Sequence, residues 1–222
     1  MKLTAERIVD AGMAAFAEVG YRGLSMRMVA ERLDAQAGSL YYHVPSKAAL
    51  LHLMADRVAQ RAYAAGTVAL DALPGGVSWQ EQVEAQIITL RTSITKEPGG
   101  AVLLAESPTV LSPGALALME RLLQTLAGAG LARQHRVVAA DTLLSHVTGY
   151  VLQEQAVSHA PDAAGAAAAA ALADLGAGEA YLERFPATLD AAATHDDDAQ
   201  FLASLRLICA GIATLISPGG SA

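Results

Sequence analysis

Residues 35–47, "AQAGSLYYHVPSK", crowd the hydroxyls of Ser39, Tyr41 and Tyr42 and the His43 imidazole onto one short segment. Pro45 limits it to about two helical turns, because proline disfavours helical geometry in the residue before it. Only Leu40 and Val44 share an inward face on such a segment, so the four polar or amphipathic side chains have no obvious core to join. Two readings compete. Short helix pairs with small residues at the turn pack the interiors of many all-helical proteins. Outward hydroxyls and an imidazole, with small Ala37 and Gly38 at the tip, are what base edges and phosphates accept, phosphate contacts fixing register and a few side chains reading the groove.

Catalytic chemistry has no visible apparatus. There is no Gly-rich phosphate loop, no G-x-S-x-G elbow and no H-E-x-x-H pair, so the chain is not expected to be an enzyme and no cofactor is expected. The single cysteine, Cys209, excludes an internal disulfide and a Cys-rich metal site, and its apolar surroundings "LRLICAGIATLI" suit a buried thiol. The first residues lack the apolar run of a secretion signal, and no stretch approaches the roughly 18 apolar residues that span a bilayer. A soluble, cytoplasmic protein with no membrane partner is expected.

Charge is unevenly spread. The net charge is −7, yet residues 1–47 carry six Lys or Arg against five Asp or Glu. The N-terminal segment is therefore the region that would not repel a polyanion.

The elements that must position these residues read as helices throughout, since apolar residues recur three and four apart and period-two alternation is nearly absent. A first helix runs from Ala5 to Val19, capped by Thr4 and closed by Gly20; Ser25 caps a second, "MRMVAERL", which turns Val29 and Leu33 inward with Leu24. The third follows "DAQAG". Ser46 caps a long amphipathic helix that ends at "PGG", 74–76, and a further helix spans Ser78 to Glu97. A short helical piece comes next, then a helix with Ser112 as cap and Pro113 in its first turn. "RVVAADTLLSHVTGYVLQEQAVS" is almost continuously apolar and small, which suits burial between partners. Ala-rich 161–178 reads as a flexible linker, and the last helix runs from the acidic cluster at 196–198 to Ile216.

The second and third helices, joined by a few residues, have the lengths of a helix-turn-helix whose second member enters the DNA major groove. At these residues "GYRGLSMRMVAERLDAQAGSLYYHVPSKAALL" resembles the DNA-binding domain of the TetR family of bacterial transcription repressors, over residues 4 to about 60. The resemblance implies that Arg27, Ala37, Gly38 and Ser39 approach bases. It places Tyr41, Tyr42, His43 and Lys47 on phosphates or thymine methyls, and Thr4 and Met26 at the phosphate rim. Two departures stand out: Asp34 replaces the usual turn glycine, and Ala35 the usual valine. Asp tolerates the left-handed backbone better than most residues.

Past this part, "SWQEQVEAQ", "AESPTVLS", "TGYVLQEQ" and "SLRLICAGI" are similar, in order and distance, to the core of the tetracycline-repressor subgroup. The implied organisation is a DNA-binding domain at 1–47, a connecting helix at 48–70, and a ligand-binding and dimerisation domain at 71–222. The implied function is a homodimeric repressor on a palindromic DNA operator, released by a small-molecule effector. A ligand-independent dimeric or architectural DNA-binding protein is the alternative. Leu103 stands where the subgroup's magnesium-binding histidine belongs, and its supporting histidine and glutamate fall at Ser145 and Gln153, with His146 one position off. The metal chemistry is therefore expected to be absent. Any pocket should be largely apolar, with Leu90, Leu103 and Leu104 in its walls and Gln82, Gln86, His146 and Gln153 as its few polar groups. Gln86, Leu90, Leu104 and His146 equally fit a reading as core or interface residues.

Overall fold

The computed structural model describes residues 2–106, 112–158 and 197–216. Among these, nine helices and no strands form: α1 (Ala5–Gly23), α2 (Met26–Arg32), α3 (Ala37–His43), α4 (Lys47–Asp71), α5 (Trp79–Thr95), α6 (Gly100–Glu106), α7 (Pro113–Gly128), α8 (Arg133–Ser158) and α9 (Asp197–Ala213). The all-helical reading is borne out. The Ala-rich segment 161–178 lies outside the described residues.

Side-chain caps set most of the helix starts. Thr4, Ser25, Ser46, Ser78 and Ser112 each accept from a backbone amide three residues on, at 3.0–3.3 Å. At Ser78 the bond is reciprocal, because Glu81 Oε2 also accepts from the Ser78 amide (2.8 Å), satisfying two of the donors a helix leaves unpaired. Helical geometry in α1 breaks at Gly20, whose φ of 68° suits a residue without Cβ, and one further turn carries the chain to Gly23. Asp34 takes the turn between α2 and α3 with φ 48°, the one non-glycine residue with positive φ among those described. Asp34→Ala should therefore cost about 1 kcal/mol, the penalty a Cβ without a locally bonding carboxylate meets there; a denaturant titration checks it.

The N-terminal head closes over Ile8, Leu24, Val29, Leu40 and Val44, each at most 2% exposed. α4, about 37 Å long at 1.5 Å per residue, runs from this head into the larger bundle, where it packs on α5, α6 and α7. α8 lies against α5, α6 and α7, and α9 against α5 and α8. A buried carboxylate pins α4 to α7: Asp56, 8% exposed, accepts from the Gly114 amide (2.7 Å) in the first turn of α7 and from Gln60 (2.6 Å). A carboxylate is well placed at that positive helix end. Head and bundle also meet where the Phe16 ring of α1 lies against the Gly99 backbone just before α6.

Candidate nucleic-acid interface and core pockets

Burial separates the two faces of α3. Leu40 and Val44 are fully buried, while Tyr41 and Tyr42 are 48% and 89% exposed and Gly38, Ser39 and His43 are exposed with them. Tyr42 and His43 meet edge to face at 5.3 Å. A large aromatic left almost wholly in water contributes little burial to the fold. No heavy atom lies within 4 Å of where a Cβ would stand on Gly38. Gly38→Ala should thus leave the fold intact or stabilise it by about 0.5–1 kcal/mol, while weakening operator binding because the new methyl meets the groove; a melt and a gel shift read the two effects separately.

Arg27 stands beside this face on α2, its side chain 86% exposed, with Nε bonded to Glu31 Oε1 at 2.9 Å. Neither terminal amino group has an acceptor among the described residues. Thr4 is exposed, its hydroxyl oxygen engaged as the α1 cap. Ala37 is half-buried at the tip of α3.

Two residues of the expected DNA-contacting set, Met26 from the rim and Lys47 from the phosphate group, stand apart from the exposed ones. Met26, the first residue of α2, is 6% exposed, so its side chain is part of the core and not of the outer rim. Lys47 is half-buried; its Nζ donates to the Tyr21 carbonyl at 2.9 Å and sits 5.6 Å from that ring. One of its three donors is thus committed to fixing the start of α4 to the end of α1, leaving the other two for a phosphate. Gln36, absent from the sequence-based set, is exposed directly ahead of α3 with no capping bond. Its position in the turn was the available signal.

The expected ligand residues do not converge on one pocket. Leu90 and Leu103 are core residues, 3% and 0% exposed. Gln86, 2% exposed, donates to the Gln82 carbonyl (3.1 Å) and Thr125 Oγ1 (2.9 Å) and accepts from Arg121 Nε (3.2 Å), while Gln82 lines a cavity of about 660 Å³ with Trp79 and Arg121. Leu104 lines a groove of about 440 Å³ between α6, α7 and α8. Gln153 is exposed in a third hollow, about 850 Å³, beside Arg91 and Tyr150. Arg91 is 15% exposed, ion-paired to Glu154 and to Asp198 (2.5 Å), and lies over the Tyr150 and Phe201 rings. These interactions raise its pKa still further, the Glu154 bond contributing most.

His146 is held inside the α8–α9 contact. Its ring stacks on Phe201 (5.6 Å between centroids), and Nε2 is 2.8 Å from Ser204 Oγ. Burial lowers its pKa from the ordinary 6.5. The unfolded chain therefore binds the proton first as pH falls, so stability present above pH 6.5 is lost as pH drops toward the depressed folded value. Replacing His146 by Phe should flatten the melting-temperature profile over that window. The residues matching the tetracycline repressors' magnesium site do not fit that metal: Leu103 has no donor atom, Ser145 and Gln153 line two different hollows, and His146, one position off, is engaged with Ser204.

Gln155 was missed by the sequence reading. It is 8% exposed, and its amide donates to the carbonyls of Ile94 (3.2 Å) and Glu97 (2.9 Å) while its oxygen accepts from Ala101 N (3.2 Å). It thereby ties α8 to the α5–α6 junction that touches α1.

Two family models match the chain. The family described as "Bacterial regulatory proteins, tetR family" matches residues 8–54, and "Tetracyclin repressor-like, C-terminal domain" matches 72–216. An HTH-type transcriptional regulator of Saccharopolyspora erythraea is 35% identical over 161 residues, which is 72% of this chain but only 65% of that relative. A possible TetR family regulator from Streptomyces coelicolor A3(2) superposes with a TM-score of 0.79 at 26% identity, over 95% of this chain and 99% of its own. The Streptomyces coelicolor TetR family protein ActR, solved in complex with (S)-DNPA, superposes at 0.75 and 26% identity over 98% and 100% of the two chains. This chain belongs to the tetR family of bacterial regulatory proteins, with a tetracycline-repressor-like C-terminal part.

Proposed function

We propose that the protein is a transcriptional repressor that binds a palindromic operator as a homodimer and leaves it when a small molecule occupies the α4–α9 bundle. One observation carries the reading: α3 buries Leu40 and Val44 and leaves Ser39, Tyr41, Tyr42 and His43 outside. Arg27, Ala37, Gly38 and Ser39 are the base-facing set. Thr4, Tyr41, Tyr42, His43 and Lys47 grip the backbone, and Met26 supports them from below. Dimerisation fits exposed apolar side chains on two helices, Val138 (67%) on α8 and Leu207 (75%) on α9. It also fits recognition, since two heads reach half-sites about 34 Å apart where one reaches a single site. A relative solved with (S)-DNPA supports a small-molecule effector.

An effector acts only through its differential affinity for the DNA-competent and DNA-incompetent forms. α4 joins head to bundle directly and is the lever. Footprinting on the DNA upstream of the protein's own gene, followed by a screen of small molecules for release, tests the reading. A discrete footprint that an effector erases is expected; sequence-indifferent binding that no compound disturbs would favour an architectural protein instead.

A further inference from the structure

Among the described residues the Arg121 cation has no carboxylate partner. Its Nη1 donates to the Tyr63 carbonyl (2.7 Å) and to Thr67 Oγ1 (3.1 Å), both on α4, and its Nε donates to Gln86 Oε1 (3.2 Å). All three acceptors are neutral. Nη2 has no acceptor among the described residues, and no carboxylate there lies within ion-pair distance of the guanidinium. Arg57, Arg61, Arg91 and Arg206 each have a carboxylate partner. Neighbouring Glu120 is exposed and accepts from Gln124 instead (2.9 Å). Burial lowers the Arg121 pKa, with Tyr63 opposing the shift.

The site is built around this charge. Arg121 lies over the Tyr63 ring at 4.5 Å, and it reaches α4 because residue 66 is glycine: a Cβ there would stand 2.3 Å from Nη2. Arg121 lines the cavity of about 660 Å³ that Trp79, Leu70 and Val77 wall with apolar surface and Gln82 and Thr125 with polar groups. That volume falls in the roughly 300–1,000 Å³ range of small-molecule sites.

We propose that this cavity is an acid-binding site, taking a small molecule with a flat apolar body against Trp79 and a carboxylate paired with the Arg121 guanidinium. The proposal deepens the reading of the bundle as the effector-binding part and rests on it. A planar guanidinium matches a carboxylate through paired N–H···O bonds. The same group holds α4 through Tyr63 and Thr67, so an arriving carboxylate competes with the contacts that fix the lever. Acid binding and α4 position are thereby coupled at one side chain.

Calorimetric titration of the full chain with biphenyl-4-carboxylate, 2-naphthoate and anthraquinone-2-carboxylate, each against its neutral carboxamide, tests this directly. At least one acid should bind at least about tenfold tighter than its amide, the scale of a hydrogen-bonded charge pair. Arg121→Gln should erase that preference, Arg121→Lys should keep part of it with the helical circular dichroism unchanged, and the preferred acid should weaken operator binding. Equal affinity of acid and amide, a preference that survives Arg121→Gln, or no saturable binding by any acid at millimolar concentration would overturn the proposal. A gel shift without ligand separates the two failures. Intact operator binding beside absent acid binding sinks the acid site alone, whereas absent operator binding in the ligand-free protein sinks the regulator reading.

Discussion

Leu40→Ala will destabilise the N-terminal head by about 2–5 kcal/mol, the cost of losing a buried leucine and leaving a cavity. Leu40 has no exposed surface and is the side chain by which α3 is anchored over Ile8, Leu24 and Val29. Seven residues of helix cannot stand on intrinsic propensity, because helices shorter than about 12–15 residues are marginal in water without packing. The α4–α9 bundle has its own apolar interior, including Ile87, Leu122, Val147 and Phe201. A chemical melt should therefore gain an early transition while most helicity persists, and operator affinity should fall with it. A single unshifted transition with normal DNA binding would show that Leu40 does not anchor α3.

The second large effect is functional and leaves stability alone. Arg27→Ala should cost about 1–3 kcal/mol against a guanine-containing operator and far less against scrambled DNA, because a bidentate guanidinium contact is read at one base pair. The surface pair with Glu31 adds little to folding, being exposed at both ends. Lys47→Ala should behave differently. It should weaken binding to every sequence and flatten the salt dependence by about one unit. It should also lower head stability measurably, since the same ammonium holds the Tyr21 carbonyl. Equilibrium binding of both variants to specific and scrambled duplexes across salt concentrations checks the division. Equal losses on all sequences from both substitutions would contradict it.

Features that depend on local chemistry were legible in the chain. Thr4, Ser25, Ser46 and Ser112 cap helices because a short side-chain oxygen needs only the amide three residues on. Asp34 adopts the left-handed turn for a similarly local reason. Pro45 ends α3, and the two-residue inward face of that helix followed from its length. What escaped notice depends on partners distant in the chain. Met26 looks like a rim residue from its position at a helix start, and only packing under α2 buries it. Lys47 meets Tyr21 across 26 residues, Gln155 meets Ile94 across 61, and Arg121 meets Tyr63 across 58. Gly66 gave no sign in the sequence that it made room for a guanidinium. Of the expected ligand residues, Gln82, Leu104 and Gln153 line three separate hollows while Gln86, Leu90, Leu103 and His146 pack inside helix contacts, for the same reason: the resemblance aligned them to positions in a related core, but the side chains here rebuild those walls.

The central claim, that the outer face of α3 reads DNA, is tested most directly by selecting duplexes from a random pool with the wild-type chain and with the Tyr41→Ala, Tyr42→Ala double variant. The wild type should enrich one inverted repeat with half-site centres about 34 Å apart. The double variant should enrich none while keeping its helical circular dichroism, because Tyr42 is 89% exposed and Tyr41 48% exposed. Enrichment of the same repeat by both proteins, or of no repeat by the wild type, would contradict the claim.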